Sequence, residues 1–340
     1  MSADLTRLVY IVESFPRQTI ALLGDFVADE FVSGEISRVS REAPVLILSH
    51  RQTQIVPGGA ANAANNLADL GASVLPVSVV GDDSSGRALL DYFRGKSVDT
   101  SGILTVRGWT TPTKTRFLAG WTHTVSQQVL RVDRHPSPPL PPRAVRTLAE
   151  KARTRARRAS ALLVSDYGCG VVTPSLVRGL KCRLVTLDSR FALLDYQTSR
   201  ITAATPNEPE LETLHHTSIG ADTSKLFELG IRTLKQLKLQ ALVVTRGKDG
   251  MVVFERGRAP VPIPVYGSDQ AVDVTGAGDT VIAVFTLALA AGASLLEAAH
   301  LANYAGGIVV MKRGTSTASR EELLAALRGE ATMPTANPPR

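Results

Sequence analysis

The chain has 340 residues, 44% of them hydrophobic and 20% charged, a composition that excludes a disordered chain and supplies a core large enough to fold without staples. Its formal charge of +7 raises nucleic acid as a partner, but much of the excess lies in one helical stretch, 143–158 (RAVRTLAEKARTRARR), with no RNA-binding signature or helix-turn-helix spacing beside it; a solvated helix face and a small anionic substrate are the expectations. Two cysteines, Cys169 and Cys182, are too few for a disulfide framework and lack zinc-ligand spacing, the apolar run 281–293 is too short to span a bilayer, and residues 1–20 show no clean secretory core, so the expectation is a cytoplasmic protein with neither nucleic acid nor membrane as partner.

In chain order, residues 3–15 predict a short helix, and TIALLGD (19–25) a buried strand ending in Gly-Asp, the place where open α/β sheets bind ligands. Segment 31–49 suggests short strands. A glycine turn opens an Ala-rich helix in VPGGAANAANNLADLGA (56–72), followed by strand 74–81 and helix 83–95. Residues 104–134 return to β character and with 31–49 predict a small second sheet, a lid. After the stiff PSPPLPP linker (136–142), helix 143–158, strand 161–166, strand 184–188, strand 201–205, a helix from Asn207, helix 223–238 and strand 241–247 alternate. Such alternation predicts a largely parallel sheet flanked by helices. One α/β domain is expected over 1–330, with a disordered tail at 331–340.

The strongest chemical signal is DVTGAGDTVIAVF (273–285). It combines a Gly-Ala-Gly turn, an Asp, and an apolar helix that starts at once. A helix start presents unpaired N–H groups and partial positive charge, and glycine lets those groups approach an anion closely. The nest can hold a phosphoryl group in flight, and the Asp can accept a proton from the attacking hydroxyl. A plain helix N-cap would also favour Asp here.

DVTGAGD and, over two hundred residues earlier, PGGAANAANNLADLGA resemble the two signatures of the PfkB (ribokinase) family of carbohydrate kinases. The resemblance covers roughly 18–328 and implies a ribokinase-like fold, ATP and Mg²⁺. By it, Gly276, Ala277 and Gly278 form the anion hole and Asp279 is the base. Gly58, Gly59 and Asn62 contact the sugar. Asn207 and Glu210 match an Asn-x-x-Glu motif that helps place Mg²⁺ and the phosphates, and Thr245 and Gly247 lie along the nucleotide. Asp273, Thr275 and Thr315 fall where many relatives bind a monovalent cation such as K⁺. Asp29, with Asp25 as a near neighbour, stands where the family has the carboxylate that grips sugar hydroxyls. Exposed lid strands imply a homodimer.

Within that family, the runs GDFVADEFVSGEISRVSREAPV (24–45), TPTKTRFLAG (111–120), QQVLRVD (127–133), SDYGCGVVTP (165–174) and GIVVMKRGTSTAS (307–319) resemble the kinases that phosphorylate D-glycero-β-D-manno-heptose 7-phosphate at C1. Arg38, Lys114, Arg116 and Arg131 supply positive charge for an acceptor phosphate; an ordinary structural salt bridge accounts for each of them equally well. Three positions depart from that branch. Cys169 stands where Lys is expected, Ser189-Arg190 replaces a Pro-Lys pair, and Arg41 replaces Pro. They put the exact acceptor in doubt and leave a kinase for another sugar or nucleoside open, and, from another class, a non-catalytic sugar- or nucleotide-binding regulator. Bacterial heptose enzymes often carry a fused nucleotidyltransferase; the stretch after 330 is too short for one, so adenylyl transfer is expected from a separate protein.

Overall fold

A computed structural model describes residues 4–121, 126–190, 192–268 and 271–330; the expected tail at 331–340 lies outside the described residues. Asp4 caps helix α1 (Leu5–Glu13) by accepting the amides of Thr6 and Arg7. Strand β1 (Thr19–Gly24) follows and alternates its side chains between two cores. Ile20 and Leu22 face one, Ala21 and Leu23 the other. This strand lies at the middle of the molecule because both of its faces are apolar.

β1 pairs in parallel with β4 (Ser73–Gly81) on one side and β8 (Ala161–Asp166) on the other. Outward from β8 come β9 (Val185–Ser189), the two-residue β10 (Ala203–Ala204), β11 (Ala241–Thr245), and the antiparallel β12 (Met251–Glu255) and β13 (Val261–Ile263). Outward from β4 comes β5 (Ile103–Val106). On one face lie α1, α2 (Ala60–Asp69), α3 (Ser84–Gly95), α8 (Ala277–Ala290), α9 (Leu295–Val309) and α10 (Arg320–Arg328). On the other lie α4 (Pro142–Arg158), α5 (Pro174–Arg178), α6 (Glu208–His215) and α7 (Thr223–Gln236). α8 is apolar all round and buried from Asp279 to Leu289, as a helix sandwiched between sheet and helix must be.

The second sheet has four strands in the order β3-β2-β6-β7, built from β2 (Phe26–Val39), β3 (Leu46–Gly59), β6 (Thr113–Gly120) and β7 (Gln127–Arg134). β2 and β6 pair in parallel and the outer pairs are antiparallel. The lid therefore starts one residue after β1 ends and reaches back to Gly59, further than 31–49. The lid segment expected from 104 is corrected at its start. Residues 103–106 pair with 78–81 in the main sheet, where Ile103 is buried. The basic helix is α4, and one of its arginines departs from a solvated face: Arg155 is buried and pairs with Asp99 at 2.9 Å. No helix among the described residues is long and apolar enough to cross a membrane.

Candidate active site

The site is built where β1 and β8 end and α8 begins. Gly276 has φ +79°, and a Cβ there would lie 2.5 Å from the Asn62 side-chain nitrogen, so both its conformation and its neighbour demand glycine. Gly278 borders open space. Asp279 follows in the first turn of α8 and is 3% exposed. Its Oδ2 accepts from Asn62 Nδ2 at 3.0 Å and its Oδ1 from the Tyr167 hydroxyl at 2.6 Å. Asn62 also donates to the Gly276 carbonyl at 3.3 Å. Burial pushes the Asp279 carboxyl up to about 6, against the Tyr167 and Asn62 hydrogen bonds; Asp29 raises it further and Lys114 lowers it. The carboxylate is ionised at neutral pH but close enough to its pKa to take a proton, which is what a general base requires.

Behind it, Asn66 is fully buried and joins three elements. Its Nδ2 donates to the Asn62 carbonyl at 3.0 Å, and its Oδ1 accepts from the Thr280 hydroxyl at 3.0 Å and the Ala318 amide at 3.4 Å. This network locks Asn62, and through it the Asp279 carboxylate, in one orientation.

A polar cavity of about 320 Å³ opens beside Asp279. Asn207, Glu210, Thr245, Gly276, Gly278 and Arg190 all line it. Asn207 and Glu210 form a reciprocal capping box at the start of α6: Asn207 Oδ1 accepts the Glu210 amide at 2.8 Å, and Glu210 Oε2 the Asn207 amide at 2.9 Å. Burial raises the Glu210 carboxyl despite that amide and Arg190. Asp188 is pushed well above the carboxylate range by burial first, then by Glu210 and Asp279, with Arg190 opposing. The Thr205 hydroxyl is buried on this wall with no hydrogen-bond partner among the described residues. Separate hard oxygen donors suit Mg²⁺, which is held mainly by substrate phosphates and one or two protein groups. Among the described residues no cluster of three or more His, Cys, Asp or Glu forms a metal cage of its own.

Thr245 and Gly278 also border a second, apolar cavity of about 290 Å³, walled by Val265, Val274, Ala277 and Val281 and reaching Gly247. Gly307 lies on its α9 wall; a Cβ there would come 2.3 Å from the Tyr266 carbonyl, so glycine lets that loop close against the helix. The shape and lining suit a flat, largely apolar ring.

On the lid side, Asp29 is 4% exposed. Its Oδ1 pairs with Arg116 Nη1 at 2.6 Å and its Oδ2 accepts from the Thr315 hydroxyl at 2.9 Å. A Cβ on Gly58 would sit 2.4 Å from Asp29 Oδ2, so this glycine makes room for the carboxylate. Gly59 turns the chain into α2 with φ +55°. Arg116 lies over the Phe31 ring at 5.3 Å. Beneath the lid is a cavity of about 760 Å³ lined by Gln52, Gln54, Arg116, Arg313, Thr315 and Asp273, among others. The Arg313 side chain has no ion-pair partner among the described residues.

Several of the expected site residues make contacts within the protein. Asp25 is fully buried, and its carboxylate accepts the amides of Tyr167 and Cys169 on Oδ2 and of Val171 on Oδ1, at 2.8, 3.0 and 3.0 Å. It anchors the 167–171 loop and does not face the lid cavity. Arg131 pairs with Asp133 on its own exposed strand. Arg116 serves Asp29. Lys114 lies over the Tyr167 ring, 5.3 Å from its centre. Arg38 is exposed at the far end of β2. Of the three expected cation ligands, Asp273 accepts the amides of Thr275 and Gly314, both at 2.9 Å, and the Thr315 hydroxyl donates to Asp29. Arg190, noted only as a departure, stands in the polar cavity and over the Tyr167 ring at 5.5 Å. Burial, with Asp25 and Asp166 nearby, pushes the Cys169 thiol up to about 12, so it stays uncharged. Tyr167 and Asn66 were not singled out from sequence; each sits inside a quoted motif, but its role depends on a partner more than a hundred residues away.

Solved structures share this architecture. A ribokinase of Arabidopsis thaliana, complexed with ribose and ATP, superposes with a TM-score of 0.70 over 92% of this chain and 99% of that one at 21% identity. Phosphofructokinase-2 of Escherichia coli in complex with potassium gives 0.73 over the same shares at 18% identity. The fold is ribokinase-like. In sequence, the chain is 40% identical over 313 residues to the bifunctional protein HldE of Geobacter sulfurreducens, covering 90% of this chain and 62% of that protein. It is 36% identical over 324 residues to HldE of Desulfatibacillum aliphaticivorans, covering 94% and 65%. The chain thus spans less than two thirds of the length of these relatives. The profile of the pfkB family carbohydrate kinases matches residues 27–128 and 181–322. With both signatures placed on one buried carboxylate, the chain belongs to the PfkB family of carbohydrate kinases.

Proposed function

We propose that this enzyme transfers the γ-phosphoryl group of ATP to a sugar phosphate, with D-glycero-β-D-manno-heptose 7-phosphate as acceptor and the 1,7-bisphosphate as product. The observation that carries the reading is the position of Asp279. It is a buried, ionised carboxylate at the meeting point of a polar cavity and the lid. The apolar cavity along Thr245 and Gly247 takes the adenine, and Asn207 and Glu210 border its phosphates. Asp279 accepts the proton of the acceptor hydroxyl as that oxygen attacks phosphorus in line. Amides at the start of α8 receive the charge that spreads onto the phosphoryl oxygens. Mg²⁺, when bound among the oxygen donors of the polar cavity, neutralises phosphate charge. Asp29 takes sugar hydroxyls, held in place by Arg116 and Thr315. The lid cavity, with Arg313 on its wall, suits an acceptor that carries a phosphate of its own. The Arg313 guanidinium and the 40% and 36% identity to the HldE relatives support this acceptor over a neutral sugar.

The test is ADP release by the purified protein with Mg²⁺-ATP and a panel of heptose 7-phosphate, sedoheptulose 7-phosphate, fructose 6-phosphate, fructose, ribose and adenosine. Turnover is expected chiefly on heptose 7-phosphate. Preference for a neutral sugar would overturn the acceptor class, and nucleotide binding with no turnover on any acceptor would favour a non-catalytic regulator.

The lid also supports a homodimer. Val39, Val45, Leu46, Val129, Leu130 and Val132 are 42–56% exposed on or beside its strands, an apolar surface of the kind a second copy covers. Sedimentation equilibrium should give twice the chain mass, and Leu130→Glu should shift it to one; a wild-type monomer at micromolar concentration would refute the pairing.

A further inference from the structure

Tyr167 ties together groups that the reaction must keep aligned. It stands just after β8, in a loop pinned twice from below: the Tyr167 amide donates to Asp25 at 2.8 Å and the Gly168 amide to Asp166 at 2.9 Å. Asp166 is itself held by the Tyr196 hydroxyl at 2.7 Å and the Ser189 hydroxyl at 3.2 Å. From this fixed backbone the Tyr167 hydroxyl reaches Asp279 at 2.6 Å. Its ring carries two cations. Lys114, from lid strand β6, lies 5.3 Å from the ring centre and Arg190, from the end of β9, lies 5.5 Å from it. Neither cation has an ion-pair partner among the described residues. Arg190 lines the polar cavity beside Asn207 and Glu210. Lys114 pairs in register with Asp29 across the lid, which is the acceptor side. One ring thus stands under a cation from the donor side and a cation from the acceptor side, and its hydroxyl touches the base between them.

The geometry points to Tyr167 as the positioning residue of this kinase, fixing the orientation of the Asp279 carboxylate and holding Lys114 and Arg190 toward the phosphoryl group in transfer. A flat ring holds the two cations beside the Asp279 cavity without neutralising them, as a carboxylate would. The hydroxyl remains a donor at any working pH, because burial and then the Asp279 and Asp188 charges raise its pKa well above the usual phenol value. The charged and polar groups facing Asp279 are Asn62 from α2, Asp29 from β2, Lys114 from β6, Tyr167 from the loop after β8, and Asp188 and Arg190 from β9. Among them, Tyr167 and Asn62 bond to the carboxylate directly.

This inference rests on Asp279 being the base, so Asp279→Asn is assayed in parallel with Tyr167→Phe. The phenylalanine keeps the ring under both cations and removes only the hydroxyl. Its kcat should fall roughly ten- to a hundredfold, the scale of a small misplacement of a catalytic group, with KM for ATP and acceptor nearly unchanged. The acid limb of kcat/KM should move to higher pH, since the carboxylate loses a donor that favours its ionised form. Tyr167→Leu, which removes the platform too, should also raise KM for both substrates. Wild-type kcat with an unmoved acid limb in Tyr167→Phe would overturn the inference. So would a loss of activity that tracks lowered thermal stability and leaves the limb in place. If Asp279→Asn itself retains activity, the base assignment fails instead, and the two failures are distinct.

Discussion

Asp279→Asn should lower turnover by about 10²- to 10⁴-fold, the usual contribution of a general base, and at pH 7 should raise the unfolding temperature. The two effects share one cause. The carboxylate is buried and its pKa is raised from 3.8 to about 6, which corresponds to about 3 kcal/mol of native-state cost at pH 7. An asparagine carries no charge to bury. It also fits the existing contacts: its oxygen can accept from Asn62, and its amide can donate to the Tyr167 hydroxyl oxygen. The sign follows from linkage. A carboxyl whose folded pKa lies above its unfolded value stabilises the fold when protonated, fully so below the unfolded pKa, and loses that contribution as pH rises through about 6. The advantage of asparagine should therefore be largest above pH 6 and shrink toward pH 4. Wild-type activity should show the same group as an acid limb near pH 6. Thermal melts of both proteins across this range, with kcat/KM profiles, decide the matter. A variant that keeps near-wild-type turnover would remove Asp279 as the base, and one that melts lower at pH 7 would refute the burial argument.

Asp25→Ala should be the more damaging change to the fold. Three loop amides lose their acceptor, each at about 1–3 kcal/mol if left unpaired. Against this stands the relief of removing a buried carboxylate whose pKa is itself raised to about 6, by burial and by Asp166, despite those amides. The amides outweigh the relief, and a net loss on the order of 3 kcal/mol is expected. Activity should fall as well, because the same loop carries Tyr167. Asp25→Asn is the informative companion. Its remaining oxygen can keep the Tyr167 and Cys169 amides and forfeit Val171, so both losses should be smaller. Denaturant titration and steady-state kinetics of the pair test this. Unchanged stability in the alanine variant would show that the 167–171 loop is held by other contacts.

The contrast between Asp25 and Asp29 shows where sequence reading stops. The two carboxylates are four residues apart in one extended run, and either could grip a sugar. The structure separates them because the first closes β1 against the loop after β8, and the second already belongs to the lid. The GAGD turn and the Gly58-Gly59-Asn62 segment were legible because each motif is contiguous and carries its own helix start. The parallel sheet was legible from the alternation of strands and helices. Tyr167 was not, since nothing local marks a tyrosine whose hydroxyl meets a carboxylate 112 residues later. The arginines were ambiguous for a similar reason: charge says that a partner exists but not which one, and here Asp29 and Asp133 take two of the three singled out from sequence. Strand β5 shares the β-rich composition of the lid segments, and only its parallel register with β4 shows that it belongs to the main sheet. Thr315 reads as a cation ligand by position, yet its hydroxyl faces the acceptor side.

The placement of Asp279 on α8, a helix enclosed on all sides, has a consequence for where this chain tolerates change. Substitutions around Asp279 disturb the packed centre and cost stability before they alter chemistry. In the lid, β7 and the first half of β3 are largely exposed, so substitutions there cost little stability. Substitutions in 46–54 and 127–134 should therefore shift the unfolding temperature less than substitutions around Asp279. One architecture thus makes the centre intolerant of change and the outer lid tolerant of it.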